Sequence, residues 1–436
     1  MSHKILIKNP LIVSMDAELN IYRSDILIED NIISQIAGNI RGNFDEQIDA
    51  QEYIVTPGFI QTHVHLCQTL FRNMAEDLTL LDWLNKKIWP YESMHTPETL
   101  TISAELGIAE LIKSGTTTIM DMGTVHYHDA VFETLSRTGM RAVSGKTMMD
   151  TQDTIEGLKE TTAQSIDESL QLFKKWHNYD NGRLKYAFAP RFVLSCTEEL
   201  LIETGRLSKE KNTLLHTHAS ENPAEIEEIK AVYGMGNIEY FKKIGISGGN
   251  LCLAHCVWLN EKEKTILRED DVKVLHCPSA NLKLASGIAP IPEYIENGIT
   301  VSVGADGAPC NNNLNIFNEM RLAGLIQRPK YGVNALPGSE ILKMATINGA
   351  KTLHQENEIG SIETGKKADI TFIHADELHS QPFNDVYNKI IYSTSASDVH
   401  NVMINGKWVL KNRNLITLNE NNILKSAKKV IKLFLN

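Results

Sequence analysis

The sequence predicts an α/β protein, a (β/α)8 TIM barrel carrying a small β-sandwich-like domain formed from both chain ends. Two observations lead there. In the middle of the chain, short apolar strands alternate with helix-like stretches, as a parallel sheet with crossover helices requires. These strand candidates end at Thr62, Asp121, Arg191, His218, His255, His276 and Asp306. A barrel gathers its chemistry at the C-terminal ends of its strands, and endings rich in imidazole, guanidinium and carboxylate are what it leaves in a sequence. The second observation is that both termini read as β structure.

At the start, Lys4 to Ile7, Leu11 to Ser14, Asp25 to Ile28 and Ile32 to Ile36 are strand candidates, the last two joined across Glu29-Asp30-Asn31. At the far end Ala368 to Ile373 is a strand, and Val402 to Leu410 carries an Asn405-Gly406 turn between apolar runs, a strong hairpin signal. Residues 1–55 with 358–436 are therefore expected to form the small domain and residues 56–357 the barrel. Near the end, Leu424, Ala427, Ile431 and Phe434 recur at helical spacing with Lys425, Lys428, Lys429 and Lys432 mostly elsewhere, which predicts a docked amphipathic helix with a solvated lysine face.

Composition narrows the function classes. The chain holds 43 Lys+Arg against 54 Asp+Glu, a net charge of −11, with no long basic run apart from that helix, so nucleic acid is not an expected partner. No apolar run approaches the ~18 residues of a membrane span, and the N-terminus lacks a signal-peptide core. A cytoplasmic location without membrane contact is expected. Six cysteines without C-x-x-C spacing suggest neither a disulfide framework nor a zinc ribbon.

The chemistry lies in four constellations. His63-Val64-His65 follows Pro57-Gly58 and an apolar approach; in an extended chain residues i and i+2 share a side, so both imidazoles can reach one ion. His218, in Leu214-Leu215-His216-Thr217-His218-Ala219-Ser220-Glu221, can supply a third nitrogen with Glu221 close by. Leu251 to His255 and Val301 to Asp306 are the other two strand ends, although an aspartate there can also be a plain turn cap. Imidazole and carboxylate ligands with room for a water describe a catalytic divalent-metal site.

The order H-x-H, His, His, Asp on successive strands resembles the amidohydrolase superfamily. So do Pro57-Gly58-Phe59-Ile60, Gly115-Thr116-Thr117-Thr118 and the stretch Gly360 to Asp369. His218-Ala219-Ser220-Glu221 is similar to its one-metal branch of adenosine-type, guanine and s-triazine aminohydrolases. That resemblance implies one divalent metal per chain, zinc with iron or manganese as alternatives, held by His63, His65, His218 and Asp306. It implies Glu221 as proton shuttle, His255 steadying the attacking hydroxide or the tetrahedral centre, and Asp306 accepting the last proton. It also implies a homo-oligomer, a dimer or tetramer.

Two sets of residues point to different substrates. Trp83 and Glu92, in Asp82-Trp83-Leu84 and Ile88 to Glu92, resemble deaminases of methylthioadenosine and S-adenosylhomocysteine, where the glutamate holds the ribose hydroxyls; a carboxylate can accept from both hydroxyls of a vicinal diol. Gln68, Lys146 and Arg191 look like guanine deaminase, where arginine and glutamine read the base. The favoured substrate is a 5′-modified adenosine: 5′-deoxyadenosine, methylthioadenosine or S-adenosylhomocysteine. The alternatives are deamination of guanine or another purine or pterin, hydrolysis of an s-triazine, and a non-enzymatic scaffold. Plain structural roles stand beside these: a helix cap or lysine pair for Glu92, packing for Trp83, an ion pair for Arg191, a hydrogen-bonded structural role for His276, and surface loops for His126 and His128.

Overall fold

The computed structural model describes residues 2–435; Met1 and Asn436, the outermost residues of the expected small domain, lie outside the described residues. Eight parallel strands close a barrel in two arcs. One arc orders Leu184–Tyr186, Arg141–Gly145, Thr116–Met122 and Phe59–His65, the other Leu215–Ala219, Leu251–His255, Lys273–His276 and Val301–Val303. A parallel bridge between Phe188 and Leu215 joins them on one side. On the other, Asp306–Gly307 pairs with Val64 and His65. The interior is a packed layer of Ile60, Met120, Val143, Cys252 and Leu275 from five of the strands, with Ala187 and Leu214 next to the ends of two more. Arg141–Gly145 is the strand that the sequence reading passed over.

Strands from both chain ends build two further sheets. Ile32–Ala37, Asp25–Glu29, Lys4–Lys8 and Glu46–Asp49 form one. In the other, Ile370–His374 pairs antiparallel with both Val399–Ile404 and Tyr53–Pro57, and the latter lies across the expected boundary at 55/56. Ile5, Ile7, Ile26 and Ile28 from the first sheet pack on Val55, Ile370, Phe372 and Met403 from the second, a sandwich core. A buried ion pair ties this unit to the barrel. Arg141 donates to Asp369 from Nε at 2.6 Å and from a terminal nitrogen at 3.0 Å, and Asp369 also accepts from the Asn405 amide at 2.7 Å.

The C-terminal helix Glu420–Val430 turns away from the sandwich. Val430 and Phe434 pack on Leu70, Phe71 and Ile102 of the barrel's outer wall, and Ile423 is buried. Leu424, expected on the apolar face, is exposed. His128 corrects another expectation: it is fully buried, hydrogen-bonded to Ser144 Oγ at 2.9 Å, and fills the space beside Gly123. All six cysteines are buried. Among the described residues no helix is long and apolar enough to cross a membrane.

Candidate active site

The strand ends converge on one cleft, lined by His65, Gln68, Trp83, Arg191, His218, Glu221, His255 and Asp306 among others. His63 and His65 project from the last turn of Phe59–His65, alternating with Val64 in the apolar shell. His255 (φ 75°) and Asp306 (φ 62°) sit in left-handed backbone, a strain of ~1–3 kcal/mol each that a surrounding scaffold must hold. Gly304 lets the final strand approach the first: a Cβ there would lie 2.5 Å from the His63 carbonyl oxygen.

The donor set fits a divalent ion. One ligand atom from each of His63, His65 and His218 lies within 4.8 Å of the others, and the same holds for His63, His255 and Asp306. His63 Nε2 and His65 Nε2 are each 3.4 Å from Asp306 Oδ1. Two ligands at ~2.05 Å on a tetrahedral ion stand about 3.3 Å apart. His63 Nε2 is buried and has no hydrogen-bond partner among the described residues. The far sides of the rings are committed: His65 Nδ1 to the Met122 carbonyl at 2.8 Å, His218 Nδ1 to the Arg191 carbonyl at 2.7 Å, and His63 Nδ1 to His216 Nε2 at 2.8 Å. Such outer partners fix the tautomer and turn the Nε2 lone pairs inward. Burial holds His65 down at about 3, and lowers His63 and His218 as well, so the three rings are neutral and able to ligate an ion. Burial alone would raise Asp306, but the imidazoles of His63, His65 and His255 gathered around it outweigh burial and hold its carboxyl well below the usual range.

Glu221 and His255 face this cluster. Glu221 Oε2 stands 3.4 Å from His255 Nε2, and its other oxygen accepts from Ser286 Oγ at 3.3 Å. Burial pushes its carboxyl up to about 7, placing it among groups able to exchange protons near neutrality. His255 Nδ1 is fixed by Asn281 Oδ1 at 2.8 Å. Burial opposes its charge, but the carboxylates of Glu221 and Asp306 prevail and raise it.

The two groups of substrate candidates meet in one cluster. Glu92, buried in Trp89–Ser93, accepts from two terminal nitrogens of Arg191 at 2.6 and 3.2 Å and from Gln68 Nε2 at 2.8 Å. The carboxylate is thus neither a helix cap nor a lysine partner; it does not itself line the cleft, whereas Gln68 and Arg191, which hold it, do. Gln68 Oε1 and the Trp83 indole N–H are buried without partners among the described residues. Lys146 departs from expectation: its ammonium is buried 2.7 Å from Glu160 and it does not line the cleft. His276 is buried too, but neither ring nitrogen finds a hydrogen bond among the described residues, contrary to the hydrogen-bonded role expected of it.

Sequence reasoning missed several supporting residues. His216 was readable, because His216-Thr217-His218 repeats the i, i+2 pattern of His63 and His65. Asn281, Ser286 and Glu225, whose carboxylate accepts from the Glu221 amide at 2.9 Å, carry no local signal. Asp121 was noticed only as a strand end; it accepts from the Leu66 amide at 2.9 Å and Ser144 Oγ at 2.7 Å, bracing the turn after His65.

Residues 54–409 match the model of the amidohydrolase family. The chain belongs to that family. This amidohydrolase is 40% identical to a 5′-deoxyadenosine deaminase of Methanobrevibacter smithii, over 98% of its own length and 97% of the relative's. It is 38% identical to a 5-methylthioadenosine/S-adenosylhomocysteine deaminase of Thermoanaerobacter pseudethanolicus, covering 98% of each. Among solved structures, an adenosine deaminase from Xanthomonas campestris with bound zinc superposes with a TM-score of 0.94 at 26% identity, covering 99% of this amidohydrolase and 98% of the other chain.

Proposed function

We propose that this amidohydrolase deaminates a 5′-modified adenosine (5′-deoxyadenosine, methylthioadenosine or S-adenosylhomocysteine) to the inosine analogue, releasing ammonia. The observation that carries the choice of substrate is the buried cluster of Glu92, Arg191 and Gln68. The guanidinium and amide donors that would read a guanine are already committed to a carboxylate. A carboxylate offers about four acceptor positions; three are used, so one remains, and Gln68 Oε1 supplies a second. Two acceptors side by side suit the two hydroxyls of a ribose. Leu80, Leu84, Phe192 and Leu284 give the cleft apolar walls for the base and the 5′ group. The one cationic side chain among the lining residues, Arg191, is neutralised by Glu92, which favours compact uncharged 5′ groups over the charged tail of S-adenosylhomocysteine.

His63, His65, His218 and Asp306 would hold a single zinc ion. When bound, a divalent ion acidifies water and polarises the bond under attack. Glu221 takes a proton from the attacking water and passes it to a ring nitrogen, leaving the amino-bearing carbon open to addition. His255 contacts the attacking oxygen as the amino-bearing carbon becomes tetrahedral. Asp306 accepts the remaining hydroxyl proton and passes it to the amino group, so the C–N bond breaks and ammonia leaves. In this reading the barrel, residues 56–357, performs the chemistry, and residues 1–55 with 358–436 brace it. A cytoplasmic location and a homo-oligomer belong to the same proposal, supported by the resemblance to the one-metal branch.

The test is ammonia release by zinc-loaded enzyme from adenosine, 5′-deoxyadenosine, methylthioadenosine, S-adenosylhomocysteine, adenine, guanine and a chlorotriazine in parallel. Turnover confined to the nucleosides is expected. Turnover of guanine alone would overturn the ribose reading while leaving the metal site intact.

A further inference from the structure

Far from the cleft, the outer sheet carries a second cluster of imidazole and carboxylate groups. One nitrogen from each of His374 and His400 and one oxygen of Glu377 lie within 4.8 Å of one another. His374 ends the strand Ile370–His374, opposite Tyr53. His400 lies on the neighbouring strand Val399–Ile404, where the register steps from Phe372↔Asn401 to Ile373↔Val399. His400 is therefore the extra residue of a β-bulge, a device that re-aims one side chain, and here it brings the imidazole beside that of His374.

The geometry resembles that of the catalytic cluster. The His374 and His400 rings are 4.7 Å apart and 11° from parallel. His65 and His218, which converge on the catalytic site, are 5.4 Å apart and 3° from parallel. Glu377 Oε1 stands 2.9 Å from His374 Nδ1, and Glu52 Oε2 3.7 Å from His374 Nε2. Tyr53 meets both rings edge-on, and its hydroxyl lies 3.3 Å from His400 Nδ1, which steadies that ring. The side chains of His374 and Glu377 are 19% and 35% exposed, so an ion can reach them from solvent.

We infer that His374, His400 and Glu377 form a second metal site. Two imidazoles with carboxylate oxygen select borderline ions such as zinc(II), nickel(II) or copper(II) over magnesium or calcium. Its occupant would clamp the end of Ile370–His374 to the bulge in Val399–Ile404. None of these residues lines the cleft, so the site is structural and separate from the chemistry.

The test uses the full chain, dialysed to equilibrium against buffered zinc(II), with bound zinc counted by mass spectrometry in wild type and in H374A/H400A. One equivalent fewer in the double variant, with deamination unchanged, is the expected result. Equal zinc content in the two proteins overturns the site. Should the double variant fold poorly, H400Q keeps the side-chain volume and is expected to weaken that equivalent at least tenfold and to lose the zinc-induced rise in melting temperature; unchanged zinc affinity in H400Q likewise overturns the site. The comparison is a difference between two proteins, so it is independent of how many ions the cleft itself holds.

Discussion

Arg191→Met isolates the contribution of the guanidinium to substrate choice. The side chain places two hydrogen bonds on Glu92, at 2.6 and 3.2 Å, in a position where both partners are almost wholly buried. Methionine fills much of the volume and donates nothing. Glu92 then keeps Gln68 as its only donor, and a buried carboxylate with one donor turns away or takes up a proton, ending its service as a paired acceptor. Hydrogen bonds to a charged group contribute ~1.5–3 kcal/mol. Losing one such interaction with the ribose, at about 1.4 kcal/mol per tenfold, lowers kcat/KM for adenosine by roughly ten- to 150-fold. A substrate without the diol, 2′,3′-dideoxyadenosine, never used that interaction and should change little. The assay is steady-state ammonia release from the two nucleosides by wild type and variant. Zinc content serves as a control, because His218 is oriented by the Arg191 backbone carbonyl, which the substitution leaves in place. A ratio of the two kcat/KM values that stays constant while both fall equally would refute the positioning argument.

Glu221→Gln keeps the shape of the proposed proton shuttle and removes its basicity. Activity should drop by ~10²–10⁴, the usual worth of a positioned acid-base group, with bound zinc unchanged by elemental analysis; loss of zinc would reassign Glu221 as a ligand. Burial raises the Glu221 carboxyl to about 7 in the ion-free protein. The base must be ionised, so kcat/KM is lost as pH falls through its pKa, and a neighbouring cation favours the carboxylate. The acidic limb of the pH profile is therefore expected at or below about 7, and a limb above 7 would contradict the assignment. Arg141→Met leaves the Asp369 charge buried without its partner, at 1% and 2% side-chain exposure for the pair. Removing one member of such a pair costs about 3–5 kcal/mol, measurable as a lower denaturant midpoint, while the kcat of the surviving folded enzyme should be unaffected.

The barrel was legible because its strands end in polar residues after apolar runs, a pattern written within a few positions of each ending. His63, His65, His218, His255 and Asp306 were visible for the same reason, since each sits at or beside the end of a strand that the topology must deliver to one rim. Arg141–Gly145 was not, because Arg141 interrupts the apolar run; its charge is absorbed by Asp369, 228 positions later. Lys146 failed similarly, as a motif match says nothing about Glu160 waiting across the turn. The substrate residues expose a deeper limit. Glu92 and Arg191 looked like rival signals, one for a ribose and one for a base, when each was weighed alone. Brought within 2.6 Å, they neutralise each other, and in the proposed reading they act as one device: the cation ceases to be a reader of anionic or carbonyl groups, and the carboxylate gains the fixed orientation that a diol acceptor needs. Charge that cancels across 99 residues of sequence changes the meaning of both partners. That is why the metal chemistry could be read from local pattern while specificity had to wait for the fold.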